Sequence, residues 1–248
     1  MTFRPKLWLT LGAALTLTAA CSEQGAAGEA GSGEGGSAVA GEGEGGEGEG
    51  GGAGEAGAQA AYAGVPAESL AALRIAHLKG FFLVAQQARA AEGDLSASAL
   101  AGQGLAEVYD AQIADFSGSG LDEAVLRRAA ETGSEADLAA AITVLDAAQQ
   151  RAGGDAGAVV GGLAGIAAGI YNEVNIDGAV DPIEYQHALG SALAAQQAAA
   201  GLSDQTRADV DALVAMWNGV TAPEEASALT PAGQVQAQAS RIQLAAGS

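Results

Sequence analysis

Residues 22–64 constrain this chain most, because a packed core has no use for them. Between positions 25 and 57 nearly half of the residues are glycine, and the eight acids from Glu23 to Glu55 have no basic residue among them. Such a segment buries too little apolar surface to offset the entropy lost on ordering it, which predicts a disordered tether over 21–64. As a flexible coil, residues 22–64 span roughly 35–40 Å, and like-charge repulsion extends that reach. A folded domain is therefore expected in 65–248, which is long enough for one real core.

The first twenty residues carry a different signal. Arg4 and Lys6 precede an apolar run over 7–20, broken mainly by threonines; charge followed by a short hydrophobic stretch is the pattern of an export signal. A helix crossing a bilayer needs ~20 apolar residues, so the run predicts a removable signal peptide, 1–20, and not an anchor. It ends Leu17-Thr18-Ala19-Ala20-Cys21, which resembles the bacterial lipobox, with Thr18 where leucine is usual. The resemblance implies cleavage before Cys21 and acylation of its sulfur; ordinary cleavage at the Ala-x-Ala-like site is the alternative. Cys21 is the one cysteine of the chain, so no disulfide within it takes up the thiol. Two or more acyl chains hold a protein on a membrane where one binds only marginally. Ser22, not aspartate, follows Cys21, and in such lipoproteins that implies the periplasmic face of a Gram-negative outer membrane.

Loss of Arg4 and Lys6 with the signal leaves 8 basic against 30 acidic side chains, a net charge of −22, and residues 65–248 alone carry 22 acids against 8 bases, or −14. Nucleic acid and anionic membrane surfaces are poor partners for such a chain. Cations and a protein partner in the envelope suit it better.

Alanine dominates 65–248, while β-branched clusters and aromatic alternation are scarce, which predicts an all-α fold: a single bundle of about six to eight helices. Leu70, Leu73, His77, Phe81 and Val84 repeat at helical spacing from Pro66 to Gly93. A second helix is expected over 98–116 and a short third from Asp122. Ser134 with Asp137 reads as a capping box for a fourth. The fifth, over 156–172, has glycine at 157, 161, 165 and 169. Glycine costs a helix interior about 1 kcal/mol against alanine, so a closely approaching neighbour is expected, within the chain or from a second one. In hydrocarbon the same pattern is an association face, but residues 156–172 barely reach spanning length; a buried bundle helix is the preferred reading. Asp177-Gly178 marks a turn. Asp181-Pro182-Ile183-Glu184 opens a sixth helix, Ser203 caps a seventh with Val210, Leu213, Val214 and Trp217 on its face, and a short last one follows Thr230-Pro231.

One stretch resembles a ligand constellation. Glu173, Asn175, Asp177, Gly178, Asp181 and Glu184 fall at positions one, three, five, six, nine and twelve of the calcium loop of EF-hands. Position one is normally aspartate, and no second loop accompanies it; a turn followed by a capped helix explains several of the same residues without a metal. Glu184 and His187 are spaced i, i+3, as in the Glu-x-x-His of carboxylate-bridged di-iron bundles, with Glu107, Glu173 and His77 available to complete a site. His77 and His187 are the two histidines. The sequence shows no Gly-x-Ser-x-Gly, no cysteine nucleophile and no phosphate-cradling loop, which argues against an enzyme.

The run from Gly178 to Tyr185, Asp-Gly-x-Val-x-x-x-Glu-Tyr with Asp177, resembles a helix-hairpin sequence of periplasmic helical domains in bacterial iron permeases. His77-Leu78, Glu107-Val108-Tyr109, Glu184-Tyr185-Gln186 and Ser240-Arg241-Ile242-Gln243-Leu244 are similar to pieces of glycine-rich-tethered helical lipoproteins of Gram-negative bacteria. The resemblance implies metal handling in the envelope; where relatives place a histidine before Glu-Val-Tyr, this chain has Gly102-Gln103-Gly104. Two functions are thus expected in order: a non-catalytic binding module at the outer membrane, or an iron- or calcium-binding component of an uptake system. In the second, a divalent cation is held by Glu173, Asn175, Asp177, Asp181, Glu184 and His187, with His77 further away.

Overall fold

The computed structural model describes residues 54–247, with side chains from Ala58 onward. The signal 1–20, Cys21 and the tether as far as residue 53 lie outside the described residues. The helical domain begins earlier than Val65. Helix α1 (Gly54–Ala63) opens it, with Ala58 and Tyr62 buried. Alanine recurs from position 56 where glycine and glutamate had dominated, and Ala58 and Tyr62, one turn apart, give the segment an apolar stripe to bury.

The fold is all-α. Helix α2 (Ala67–Glu92) is central and buries Leu73, Ile75, Leu78, Phe81, Phe82 and Val84. Helices α3 (Asp94–Gly104), α5 (Glu135–Ala152), α6 (Ala156–Tyr171) and α7 (Pro182–Ala198) pack around it, α4 (Glu123–Thr132) sits against α3 and α5, and α8 (Asp204–Val214) and α9 (Ala232–Ala246) close the far side. Side chains cap five helix starts, and Ser134, Asp181 and Ser203 do so as the sequence pattern had announced: Asp122 accepts from Ala124 and Val125 N–H, Ser134 from Asp137, Asp155 from Ala158, Asp181 from Ile183 and Glu184, and Ser203 from Thr206. Each such cap stabilises a helix start by about 1 kcal/mol.

Three elements differ from the sequence reading. The continuous helix expected over 98–116 is α3 followed by a π-helical turn, Leu105–Tyr109, and a 3₁₀ segment, Asp110–Phe116, that breaks at Gln112 (φ −136°, ψ 40°). At the break the Arg74 guanidinium donates to the Gln112 side chain at 2.5 Å and pairs with Asp115. Trp217 lies beyond the end of α8, buried edge-on against Tyr171 with its indole N–H on the Tyr185 carbonyl, 3.2 Å away. The last helix, α9, is fifteen residues long and buries Val235, Ala239 and Ile242.

Two glycine contacts set the helix spacing. The α6 glycines face α9 and α1: a methyl group on Gly165 would stand 3.0 Å from Gln243 Nε2 and 3.4 Å from the Ala61 Cβ. Their close neighbours therefore come from the same chain, which answers why a helix interior accepts them. Among the described residues no helix is long and apolar enough to cross a membrane. The second contact joins α2 to α7. A Cβ on Gly80 would lie 2.7 Å from the Gly190 carbonyl oxygen, and one on Gly190 the same distance from the Gly80 oxygen. One turn before each glycine stands a histidine.

Candidate functional site

The close α2–α7 crossing puts His77 and His187 face to face. Their Nε2 atoms are 3.1 Å apart, the rings are within 8° of parallel, and the ring centres are 5.3 Å apart. That separation is close to the largest the nitrogen gap and two ring radii allow, so the nitrogens meet head to head in nearly one plane. This is the geometry of an N–H···N hydrogen bond. On the outer side of His77, the Tyr62 hydroxyl lies 2.6 Å from Nδ1. On the outer side of His187, Nδ1 faces Glu107 Oε2 at 3.7 Å and Glu184 Oε2 at 3.9 Å, too long for hydrogen bonds but close enough to orient the ring by charge. Four helical elements thus contribute to one interior row: α1, α2, the π-helical turn and α7.

The direction of the row follows from its ends. Burial holds His77 down to about 4, and burial, with His77 next to it, holds His187 well below the ordinary imidazole value. Both rings are therefore neutral at pH 7, each with one N–H. Glu107 and Glu184 flank His187 Nδ1, and their oxygens attract a hydrogen there, which favours the Nδ1 tautomer and leaves Nε2 as an acceptor. In that tautomer His77 donates from Nε2 and its Nδ1 accepts from Tyr62, whose phenol burial pushes well up and so keeps protonated. The row then runs from Tyr62 through His77 to His187, with Glu107 and Glu184 beyond it.

Supporting residues fix each member. Phe81 packs on the His187 ring at 4.2 Å between centres, and Gly104 gives it room, since a Cβ there would meet the Phe81 side chain at 2.5 Å. Gln103 donates to Glu107 Oε1 at 2.8 Å and so positions that side chain beside His187. Arg74 lies over the Tyr62 ring, 5.2 Å from its centre. Ser191 gives its hydroxyl to the His187 carbonyl, not to the ring. A cavity of about 90 Å³, lined by Gln59, Tyr62, His77, Glu107, Gln112 and His187 among others, borders the row.

The other proposed ligands stand elsewhere. Glu173 to Glu184 do not form a twelve-residue loop: Asn175 pairs with Val180 and Ile176 with Ala179 in a two-residue-per-strand hairpin, β1 (Asn175–Ile176) and β2 (Ala179–Val180). Asp177 (φ 52°) and Gly178 (φ 87°) make its tip, the positive angles that a tight hairpin turn requires. The Asn175 side chain accepts from Gly178 N–H at 3.1 Å and Asp181 caps α7, so both are engaged with backbone. Of the proposed set the structure brings Glu184, His187 and His77 together, adds Glu107 and Tyr62, and leaves Glu173, Asn175, Asp177 and Asp181 at the hairpin. Among the described residues no group of three histidine, cysteine or acidic side chains is arranged to hold a metal ion. Tyr62 escaped notice because the glycine-rich reading ran through it; its place in an uncharged, alanine-rich run was the available signal.

A larger cleft of about 320 Å³ passes Lys79, Asp146 and Gln149. The buried Lys79 ammonium donates to Asp146 at 2.9 Å and Gln149 at 2.8 Å, so its charge is already answered. Against known proteins, the chain matches no family model, no curated protein and no solved structure.

Proposed function

We propose that this chain is a non-catalytic binding module, held at the periplasmic face of an outer membrane by acylation of Cys21, with its ligand site at the cavity beside His77 and His187. The observation that carries the binding site is the row itself. Polar groups inside an apolar bundle cost stability unless fully paired, and a cavity with converging polar groups of shifted pKa is where ligands bind. Neutral imidazoles, a protonated phenol and a serine turned to backbone favour binding over nucleophilic chemistry. The surface favours a cationic partner: of the eight basic side chains among the described residues, six stand in ion pairs with acids of the same domain, leaving carboxylates in excess.

Metal binding is the second reading, favoured by the convergence of Glu107 and Glu184 on His187, which itself contacts His77. Fractionation tests the anchor: the wild-type chain should sediment with outer membranes, and Cys21→Ala should leave them. Thermal melts of the full chain in calcium, iron(II) and zinc test the second reading, because a ligand bound by the native state at 100 times its Kd adds about 2.7 kcal/mol. An unshifted melt with every metal would remove that reading and leave the organic or protein ligand. A Cys21→Ala chain that still sediments with membranes would sink the anchor.

A further inference from the structure

We infer that His77 and His187 form a linear two-coordinate site for a monovalent d¹⁰ cation, copper(I) or silver(I), bound between the two Nε2 atoms. The inference rests on the metal-binding reading and names its ion. An imidazole lone pair lies in the ring plane and points away from the ring centre. Here the two Nε2 atoms point at one another in nearly parallel rings, 3.1 Å apart with ring centres 5.3 Å apart, so an ion shared by both sits on the line between them. Zinc or iron at ~2.0–2.1 Å from each nitrogen would need the two axes to converge at an angle and further ligands to fill the shell. No third histidine, cysteine or acid is arranged for that among the described residues. Straight two-coordination by nitrogen is the habit of copper(I) and silver(I). The nitrogens must part to roughly 4 Å, twice a ~2.0 Å metal–nitrogen bond, and the cavity of about 90 Å³ bordering both rings gives them space to swing.

The outer nitrogens are already placed for the bound form. A neutral imidazole that ligates through Nε2 carries its hydrogen on Nδ1 and gives it to an oxygen acceptor. His187 Nδ1 faces Glu107 and Glu184. His77 Nδ1 faces the Tyr62 oxygen at 2.6 Å. On binding, the His77 proton moves from Nε2 to Nδ1 by exchange with the Tyr62 hydroxyl and water. Tyr62 turns from donor to acceptor and directs its own hydrogen into the cavity, and the protein loses no proton. Charge favours the same ion class. The cost of burying an ion grows with the square of its charge, and the two ligands are neutral, so a single positive charge near two carboxylates is better tolerated than a double one.

The test uses the full chain carrying Cys21→Ser, which removes the one competing thiol. It is titrated with silver(I), with copper(I) under ascorbate, and in parallel with zinc(II), iron(II) and calcium(II). The expected result is one equivalent of silver or copper, a raised melting temperature, and X-ray absorption showing two nitrogen neighbours in line. Imidazole ¹⁵N spectra should show both Nε2 resonances shifting and both Nδ1 protonated. Substituting His77→Gln or His187→Gln should lower affinity at least 100-fold; because these changes also strain the core, the absorption and nitrogen spectra of the unsubstituted pair decide the matter. Sulfur neighbours, or three or more light neighbours, would overturn the linear site. Zinc or iron binding without silver or copper would overturn the inference and keep the metal reading. No binding of any metal would overturn both.

Discussion

Among the glycine contacts of the described residues, those along α6 and the one between α2 and α7 make a contrast, because only the second sets two histidines in the core. Along α6, glycines admit α9 and α1: a methyl group on Gly157 would collide with the Ala246 carbonyl oxygen, while the nearest atoms to one on Gly161 belong to Gln243, 3.6 and 3.7 Å away. At the α2–α7 crossing, Gly80 and Gly190 press carbonyl against Cα, and the neighbouring turns carry His77 and His187, 3% and 6% exposed. Close approach by itself is a packing device. Where it also presses two imidazoles into one plane, it creates a polar row that packing alone does not need.

The sharpest way to break the contrast is substitution at the glycines. Gly190→Ala puts a Cβ 2.7 Å from the Gly80 oxygen, with backbone on both sides and no flexible side chain to give way. It should cost about 3 kcal/mol in chemical denaturation. A neutral outcome would mean that the crossing is looser than the histidine geometry requires.

Acid should weaken the fold almost as much. The sign is set by His77, whose folded value of about 4 lies below its ordinary value of 6.5. The unfolded state therefore takes up the proton first, and stability present above pH 6.5 falls as pH drops toward about 4. The full loss is on the order of 3 kcal/mol for His77, with His187 adding in the same direction. Denaturation midpoints measured from pH 7 to pH 4 check this. A flat profile through that window would contradict two neutral imidazoles.

Tyr62→Phe removes the donor to His77 Nδ1 and leaves a buried acceptor unpaired, at about 2 kcal/mol. It also separates the two regions, because Tyr62 belongs to α1, which packs on α6. If the loss came from α1 packing and not from the hydrogen bond, the pH profile would stay as in the wild type. Gly161→Ala should act in the opposite direction, stabilising by up to about 1 kcal/mol, since the methyl meets only ordinary contacts and alanine is the better helix former. A destabilised Gly161→Ala chain would erase the difference between the Gly161 contact and the Gly80–Gly190 crossing.

Much of the architecture was legible in local chemistry. Ser134, Asp181 and Ser203 cap helices through interactions a few residues long, and a cap needs only its own neighbours to act. The four-residue glycine period announced a tight helix contact, though not which helices would fill it. The break at Gln112 was hidden because its side-chain partner, Arg74, lies 38 residues away. The site was half legible for the same reason. Glu184 and His187 share a helix face and could be read as a pair; His77 meets His187 across 110 residues, and no periodicity carries that distance. The hairpin at 175–180 drew attention because acids at alternate positions look alike whether they ligate a cation or cap and turn a backbone. Asn175 and Asp181 do the latter.

The central claim, a directional row of neutral imidazoles from Tyr62 to the carboxylates, is tested most directly by ¹⁵N NMR of the histidine side chains in the full chain at pH 7. Two neutral rings in opposite tautomers are expected, His77 protonated at Nε2 and His187 at Nδ1, with a scalar coupling across the Nε2–H···Nε2 bond. Two rings in the same tautomer with no such coupling, or either ring doubly protonated, would contradict the account.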